Sequence, residues 1–283
     1  MALGILRIAT CQFAVGADIH RNAEQIRGFL SDAAGEGADL VHVPECALCG
    51  YAGIDWPTLE DFDWPLLVGE TQTIMELADR LKIWVALGSM HRLTEPNRPH
   101  NCLYLIDPDG RIVNRYDKRF GTPMDQQHYT SGDRFVTFTI NGVTCSPLIC
   151  FDLRFPELYR RLYGLGVQCI LQSFYNARQN GPSVHSEIMR QTMQAHAATN
   201  HFWISMANAS GWFSPYPSCF IQPDGRIVRQ LEDHRDQMMI NTVDLSQSFY
   251  DPMAEFRDLA LEGKLTNGPG TLDDPRSIRT DAI

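Results

Sequence analysis

LIDPDGRIVNRY (105–116) and FIQPDGRIVRQL (220–231) are near copies that share the six residues PDGRIV. In each, an apolar run stops at Pro-Asp-Gly and a second strand-like run begins. Pro presets the first turn residue, Asp bonds back to the backbone, and Gly accepts a positive φ, so the unit folds as a β-hairpin. A single Pro-Asp-Gly hairpin is commonplace and says little. Its near-verbatim recurrence predicts two similar halves, each ending in a hairpin, and hence two related sheets packed face to face.

Short apolar runs and helix-like segments alternate around these hairpins. Residues 5–13, 39–45, 83–90, 167–174 and 201–210 read as buried strands, and 21–38, 71–82, 157–166 and 183–200 as helices. Near-continuous apolar strands separated by amphipathic helices imply sheets covered by helices, the α/β class. No Pro/Ser-rich linker divides the chain, which reads as a single domain over 1–283 with a polar C-terminal extension from about 251.

Composition narrows the partners. The chain has 283 residues, 34 acidic and 24 basic, for a formal charge of −10. So acidic a surface repels phosphate backbones, which argues against nucleic acid. No window approaches the roughly 18 apolar residues of a membrane span. The opening MALGILRIATCQF carries Arg7 inside its apolar stretch and lacks a small-residue cleavage site, unlike a secretory signal. Eight scattered cysteines, often inside apolar runs, suggest reduced thiols and a cytoplasmic location.

Three residues stand at strand ends: Glu45 closes a buried run in LVHVPECALCGY, Lys118 follows the first Pro-Asp-Gly hairpin in VNRYDKRF, and Cys150 closes an apolar run in SPLICFDLRFPEL. Strand ends in α/β sheets face the crevice where ligands bind. A carboxylate, an ammonium and a thiol gathered there make an acyl-transfer site. Glu45 can take the thiol proton, and Lys118 with the backbone N–H of Phe151 can meet the oxyanion. Taken singly, each has a plainer reading: core packing for Cys150, a solvated charge for Lys118, a turn residue for Glu45. CALC (46–49) offers a C-x-x-C pair, but no second ligand pair with zinc spacing accompanies it, so no metal is expected. His185, His196 and His201 are irregularly spaced on or just after a helix and read as polar-face or core residues.

The set PE…GY (44–51), YDK (116–118) and CFDLRFPEL (150–158), in this order, resembles the nitrilase or carbon–nitrogen hydrolase superfamily, nearest its amidase and carbamoylase branches. The resemblance runs from IATCQF through NASG (208–211) to PDGRI (223–227). It implies a four-layer α-β-β-α sandwich of two mixed sheets and a Glu-Lys-Cys triad formed by Glu45, Lys118 and Cys150. It implies no cofactor, a small amide, carbamoyl or nitrile substrate, and a homodimer or higher homo-oligomer.

Three positions depart from, or extend, the pattern. Counting seven residues back from Gly132, where many members have a second glutamate, reaches Asp125. Its arm is shorter by one methylene, about 1.5 Å. HAATN (196–200) keeps only Ala197 and Asn200 of an Arg-Ala-x-Glu-Asn pattern. Arg154 stands where some carbamoyl-amino-acid hydrolases grip a substrate carboxylate, or else it pairs internally with Glu157 or Asp152. Three functions follow: hydrolysis of a linear amide or N-carbamoyl compound through a thioester, nitrile hydrolysis by the same cysteine, or ligand binding by a homologue that has lost turnover.

Overall fold

Both Pro-Asp-Gly units are hairpins. In a computed structural model describing residues 4–176, 181, 183–268, 270, 272–279 and 281, they join β4 (His100–Ile106) to β5 (Ile112–Asp117) and β10 (Cys219–Ile221) to β11 (Ile227–Gln230). Each pair slips register at the matching place, between Leu105 and Ile106 and between Phe220 and Ile221. Gly110 and Gly225 turn at φ +69° and +86°. A Cβ on either would press to 2.6 Å from the Met75 carbonyl or 2.8 Å from that of Gln194, so each hairpin tip lies flush against a helix.

The duplication extends to whole sheets. In the first, β1 (Ile5–Gln12), β2 (Leu40–His42) and β3 (Trp84–His91) run parallel, and the β4–β5 hairpin follows antiparallel. In the second, β7 (Val143–Ile149), β8 (Cys169–Phe174) and β9 (Trp203–Asn208) run parallel, and the β10–β11 hairpin follows. An antiparallel edge strand completes each sheet: β12 (Gln237–Asp244) on β1, and β6 (Phe138–Ile140) on β7. These are two mixed six-stranded sheets with the same strand order.

Strand alternation distributes the core. Leu6 and Ile8 of β1 and Ala86 of β3 join the cluster between the sheets, which continues beneath α4 (Pro156–Gly164) and α5 (Val184–Asn200). Their neighbours Ala9, Cys11, Val85 and Leu87 face outward to α1 (Ile19–Gly35) and α2 (Trp64–Leu81). Helix, sheet, sheet, helix is the four-layer sandwich expected from the sequence. The chain divides into two compact units, Met1–Phe249 and Tyr250–Ile283. The second holds α6 (Ala254–Leu261) and α7 (Pro275–Ile278), with Arg257 bonded to Asp251.

Among the boundaries that differ from the sequence reading, two have a clear local cause or bear on the site. Helix α2 begins at Trp64 rather than 71, because Asp63 caps the Leu66 N–H at 2.9 Å and Pro65 suits a first turn. Strand β2 stops at His42, so Glu45 stands in the turn beyond it.

Candidate active site

Pro44 has no N–H to extend the ladder, and the chain turns out of the first sheet there. The Glu45 N–H donates instead to Phe174 O at the end of β8, 3.3 Å away in the second sheet. Gly88 on β3 makes room, since a Cβ there would lie 2.0 Å from Pro44 O. Lys118 directly follows β5 and is held by its N–H to Asn101 O, 2.9 Å. Cys150 directly follows β7 and opens a 3-10 turn, Cys150–Arg154, at φ +42°. A non-glycine residue so placed is strained, and such strain gathers at functional sites.

These loops bring together the sequence-expected charges. Lys118 Nζ lies 2.7 Å from Glu45 Oε1 and 2.9 Å from Asp125 Oδ2, and 3.2 Å from the Tyr51 hydroxyl. Asp125, at the start of α3 (Asp125–His128), thus reaches the site despite its shorter arm. Tyr51 donates to its Oδ1 at 2.5 Å and the Thr122 N–H to its Oδ2 at 2.8 Å. The Glu45 carboxylate also accepts from Asn101 Nδ2 at 2.7 Å and from the Tyr175 N–H at 2.9 Å. Asn176 Nδ2 lies 3.7 Å from Cys150 Sγ. Glu45, Lys118 and Asp125 are buried, whereas Cys150 is partly exposed.

The electrostatics separate the two carboxylates. Burial, with the Asp125 charge, raises the Glu45 pKa despite Lys118. Asp125 is also burdened by burial, but Lys118 and its hydrogen-bond donors bring its pKa below the usual carboxylate range. Burial works against the Lys118 charge, yet the acidic groups around it hold its pKa well above that of a free lysine. Burial and the Glu45 carboxylate push the Cys150 pKa well up, against the pull of Lys118. At rest the sulfur is therefore a thiol, with its acceptor Glu45 nearby.

Asp152 braces the arrangement. It accepts from the Ile149 N–H at 3.0 Å, the Phe120 N–H at 2.9 Å and the Tyr116 hydroxyl at 2.8 Å, tying the Cys150 turn to the segment after Lys118. Burial raises its pKa to about 6 in spite of those donors. Arg154 Nη2 lies 3.3 Å from His185 Nδ1. His196 takes up support of the turn where the family pattern is lost: its Nε2 lies 2.9 Å from Leu153 O and its ring stacks on Tyr159 at 3.7 Å. Cys46 and Cys49 are buried free thiols, with Cys46 Sγ 3.7 Å from the Tyr129 hydroxyl. Among the described residues, no group of three His, Cys, Asp or Glu is placed to hold a metal ion.

Tyr51, Asn101 and Asn176 were not singled out in the sequence. Tyr51 lies within the PE…GY stretch, and Tyr175 and Asn176 follow β8, so the rule of strand ends could have found them. Asn101 lies inside the hairpin strand β4 and carries no local signal. Of the segment 174–186 after β8, residues 177–180 and 182 lie outside the described residues.

The model of the carbon–nitrogen hydrolase family matches residues 7–248. The chain belongs to that family. It is 27% identical over 261 residues to an (R)-stereoselective amidase of Pseudomonas sp., covering 89% of this chain and 91% of the relative. It is 24% identical over 212 residues to the ω-amidase NIT2 of Homo sapiens, covering 71% and 74%. Among solved structures it resembles an amidase from Nesterenkonia sp. AN1 with TM-score 0.76 at 20% identity, over 92% of this chain and 97% of that one. That structure is of a variant in which the acetamide moiety of fluoroacetamide is joined to the active-site cysteine. The chain is a hydrolase of carbon–nitrogen bonds other than peptide bonds. No helix among the described residues is long and apolar enough to cross a membrane.

Proposed function

We propose that the chain is a thiol amidohydrolase, opening a small linear amide or N-carbamoyl compound through a thioester on Cys150. The observation that carries this is Lys118 lodged between two buried carboxylates of opposite pKa shift, beside a partly exposed cysteine at a strained strand end. The amidases among its relatives support the same substrate class.

As Cys150 Sγ attacks the carbonyl carbon, its proton passes to Glu45. Lys118 Nζ and the Phe151 N–H meet the charge that develops on the carbonyl oxygen. Glu45 returns the proton to the departing nitrogen, the C–N bond breaks, and ammonia or an amine leaves a thioester behind. Water attacks the thioester carbonyl and gives a proton to Glu45; as the C–S bond breaks Glu45 passes that proton to the departing Cys150 sulfur, and the acid is released with the thiol and carboxylate restored. Asp125 remains ionised throughout and keeps Lys118 charged and aimed while Glu45 cycles. Arg154, when drawn from His185, presents a planar donor fork to a substrate carboxylate.

Ammonia release from a panel of ω-amides, carbamoyl amino acids and nitriles tests this reading. Hydrolysis of an amide or carbamoyl member, abolished in a folded Cys150→Ala variant, is expected. Turnover confined to nitriles, or retained by that variant, would overturn it.

A further inference from the structure

Behind Glu45 lies a histidine that the reaction does not touch. His42, the last residue of β2, has no exposed surface. Its Nδ1 lies 2.8 Å from Ser205 Oγ on β9, and its Nε2 lies 2.9 Å from Ser173 Oγ on β8. Ser205 Oγ in turn lies 2.7 Å from Thr10 Oγ1 on β1, and Ser173 Oγ donates to Val43 O at 3.0 Å. A file of hydrogen bonds therefore crosses the interior from the first sheet to the second and back twice. Thr10, Ser173 and Ser205 are as fully buried as His42.

The proton positions in this file are determined. Ser173 gives its proton to Val43 O, so its oxygen accepts from His42 Nε2–H. Nδ1 must then accept from Ser205, whose oxygen accepts from Thr10. Neutral His42 satisfies each partner, and burial holds it neutral.

The file ends where Glu45 is held. Val43 lies two residues before Glu45, and Ser173 immediately precedes the residues that grip it. Phe174 O accepts the Glu45 N–H, Tyr175 N–H donates to the Glu45 carboxylate, and Asn176 reaches Cys150 Sγ. The end of β8 thus carries supports for both the base and the nucleophile. Aliphatic contacts between sheets tolerate small slips, whereas a fully satisfied polar file admits one arrangement.

We propose that His42 is a positioning residue: through Ser173 and Ser205 it fixes β2 against β8 and β9 and so sets Glu45 at the working distance from Cys150. The proposal rests on the reading of Glu45 as the base of Cys150. Its test needs no known substrate. The rate of Cys150 alkylation by iodoacetamide is followed by peptide mass spectrometry in the wild type, Glu45→Gln, His42→Leu, His42→Gln and Ser173→Ala, with circular dichroism as the check of folding.

Glu45→Gln defines the floor. His42→Leu is expected to alkylate at least about tenfold more slowly than the wild type, and Ser173→Ala to slow in the same direction. His42→Gln, whose amide can again donate to Ser173, should recover part of the rate. With an amide that the wild type hydrolyses, kcat should fall in parallel while KM stays within about twofold. Should His42→Leu fail to fold, Ser173→Ala and His42→Gln decide the matter. A folded His42→Leu or Ser173→Ala protein that alkylates at the wild-type rate overturns the role of His42. Equal rates in the wild type and Glu45→Gln would instead overturn the reading of Glu45, and this proposal with it.

Discussion

Asp125 reaches Lys118 with a shorter side chain because its surroundings come to it. The Thr122 N–H and Tyr51 hydroxyl fix its two oxygens, leaving Oδ2 2.9 Å from Lys118 Nζ. Asp125→Asn is expected to lower kcat at least about tenfold, or about 1.4 kcal/mol. It should also move the acid limb of the kcat/KM profile to lower pH. As the proposed base, Glu45 must be ionised to accept the thiol proton, so the rate is expected to fall as pH drops through its raised pKa. The Asp125 charge contributes to that rise, and removing it lets Glu45 ionise at lower pH. An unmoved limb would place Asp125 outside the electrostatics of the base. Tyr51→Phe removes a hydrogen bond to a buried carboxylate and is expected to reduce kcat by a factor corresponding to about 1.5–3 kcal/mol, read from initial rates at saturating amide. At this scale the gathering of Glu45, Lys118 and Cys150 is legible because each follows a strand: Glu45 and Cys150 close apolar runs, and Lys118 follows the first hairpin. Tyr51 and Asn101 are not, because their partners come from distant segments and leave no local pattern.

Among the elements, the paired hairpins were the most legible, since Pro-Asp-Gly dictates its own turn. The helix cap at Asp63 was obscured by Pro65 and Gly69, which weaken the periodic pattern of the first two turns. Strand β12 escaped notice because QMMINTVD lies at a sheet edge and its polar residues, Gln237, Asn241, Thr242 and Asp244, do not alternate with its apolar ones, so no period of two shows. The turn after β6 is another local signal, with Asn141 and Gly142 at φ +51° and +85°. Hairpin closure against the helices gives a direct test. Gly110→Ala would combine a positive φ with a Cβ 2.6 Å from Met75 O, and a loss of about 2 kcal/mol or more is expected from urea unfolding. Unchanged stability would mean that the tip does not press on α2 as described.

For the whole molecule, the site is a product of two sheets meeting, which is why its supports could not be read from one strand. The same interior sets a pH dependence of stability. Buried His42 has a pKa near 3, against about 6.5 for an ordinary histidine. Between those values the unfolded chain binds a proton that the folded chain refuses, so this contribution to stability falls as pH drops below 6.5. Asp152, raised to about 6, acts oppositely: the folded chain takes its proton first, so stability is gained as pH falls through 6. The two slopes oppose each other. His42→Leu removes the first and leaves every other titrating group in place, so the wild type's stability relative to this variant should shrink by about 2 kcal/mol from pH 7 to pH 5, read from urea midpoints. A constant difference would mean that His42 takes up a proton in the folded state.

The central claim is that Cys150, served by Glu45 and Lys118, carries the acyl group. The most direct measurement is the mass of the intact protein, acid-quenched during turnover of an amide that it hydrolyses, followed by mapping of the modified peptide. The account predicts a mass increase equal to the acyl group, located on Cys150 and absent from Cys150→Ala. An acyl group on another residue, or turnover by the Cys150→Ala protein, would contradict it.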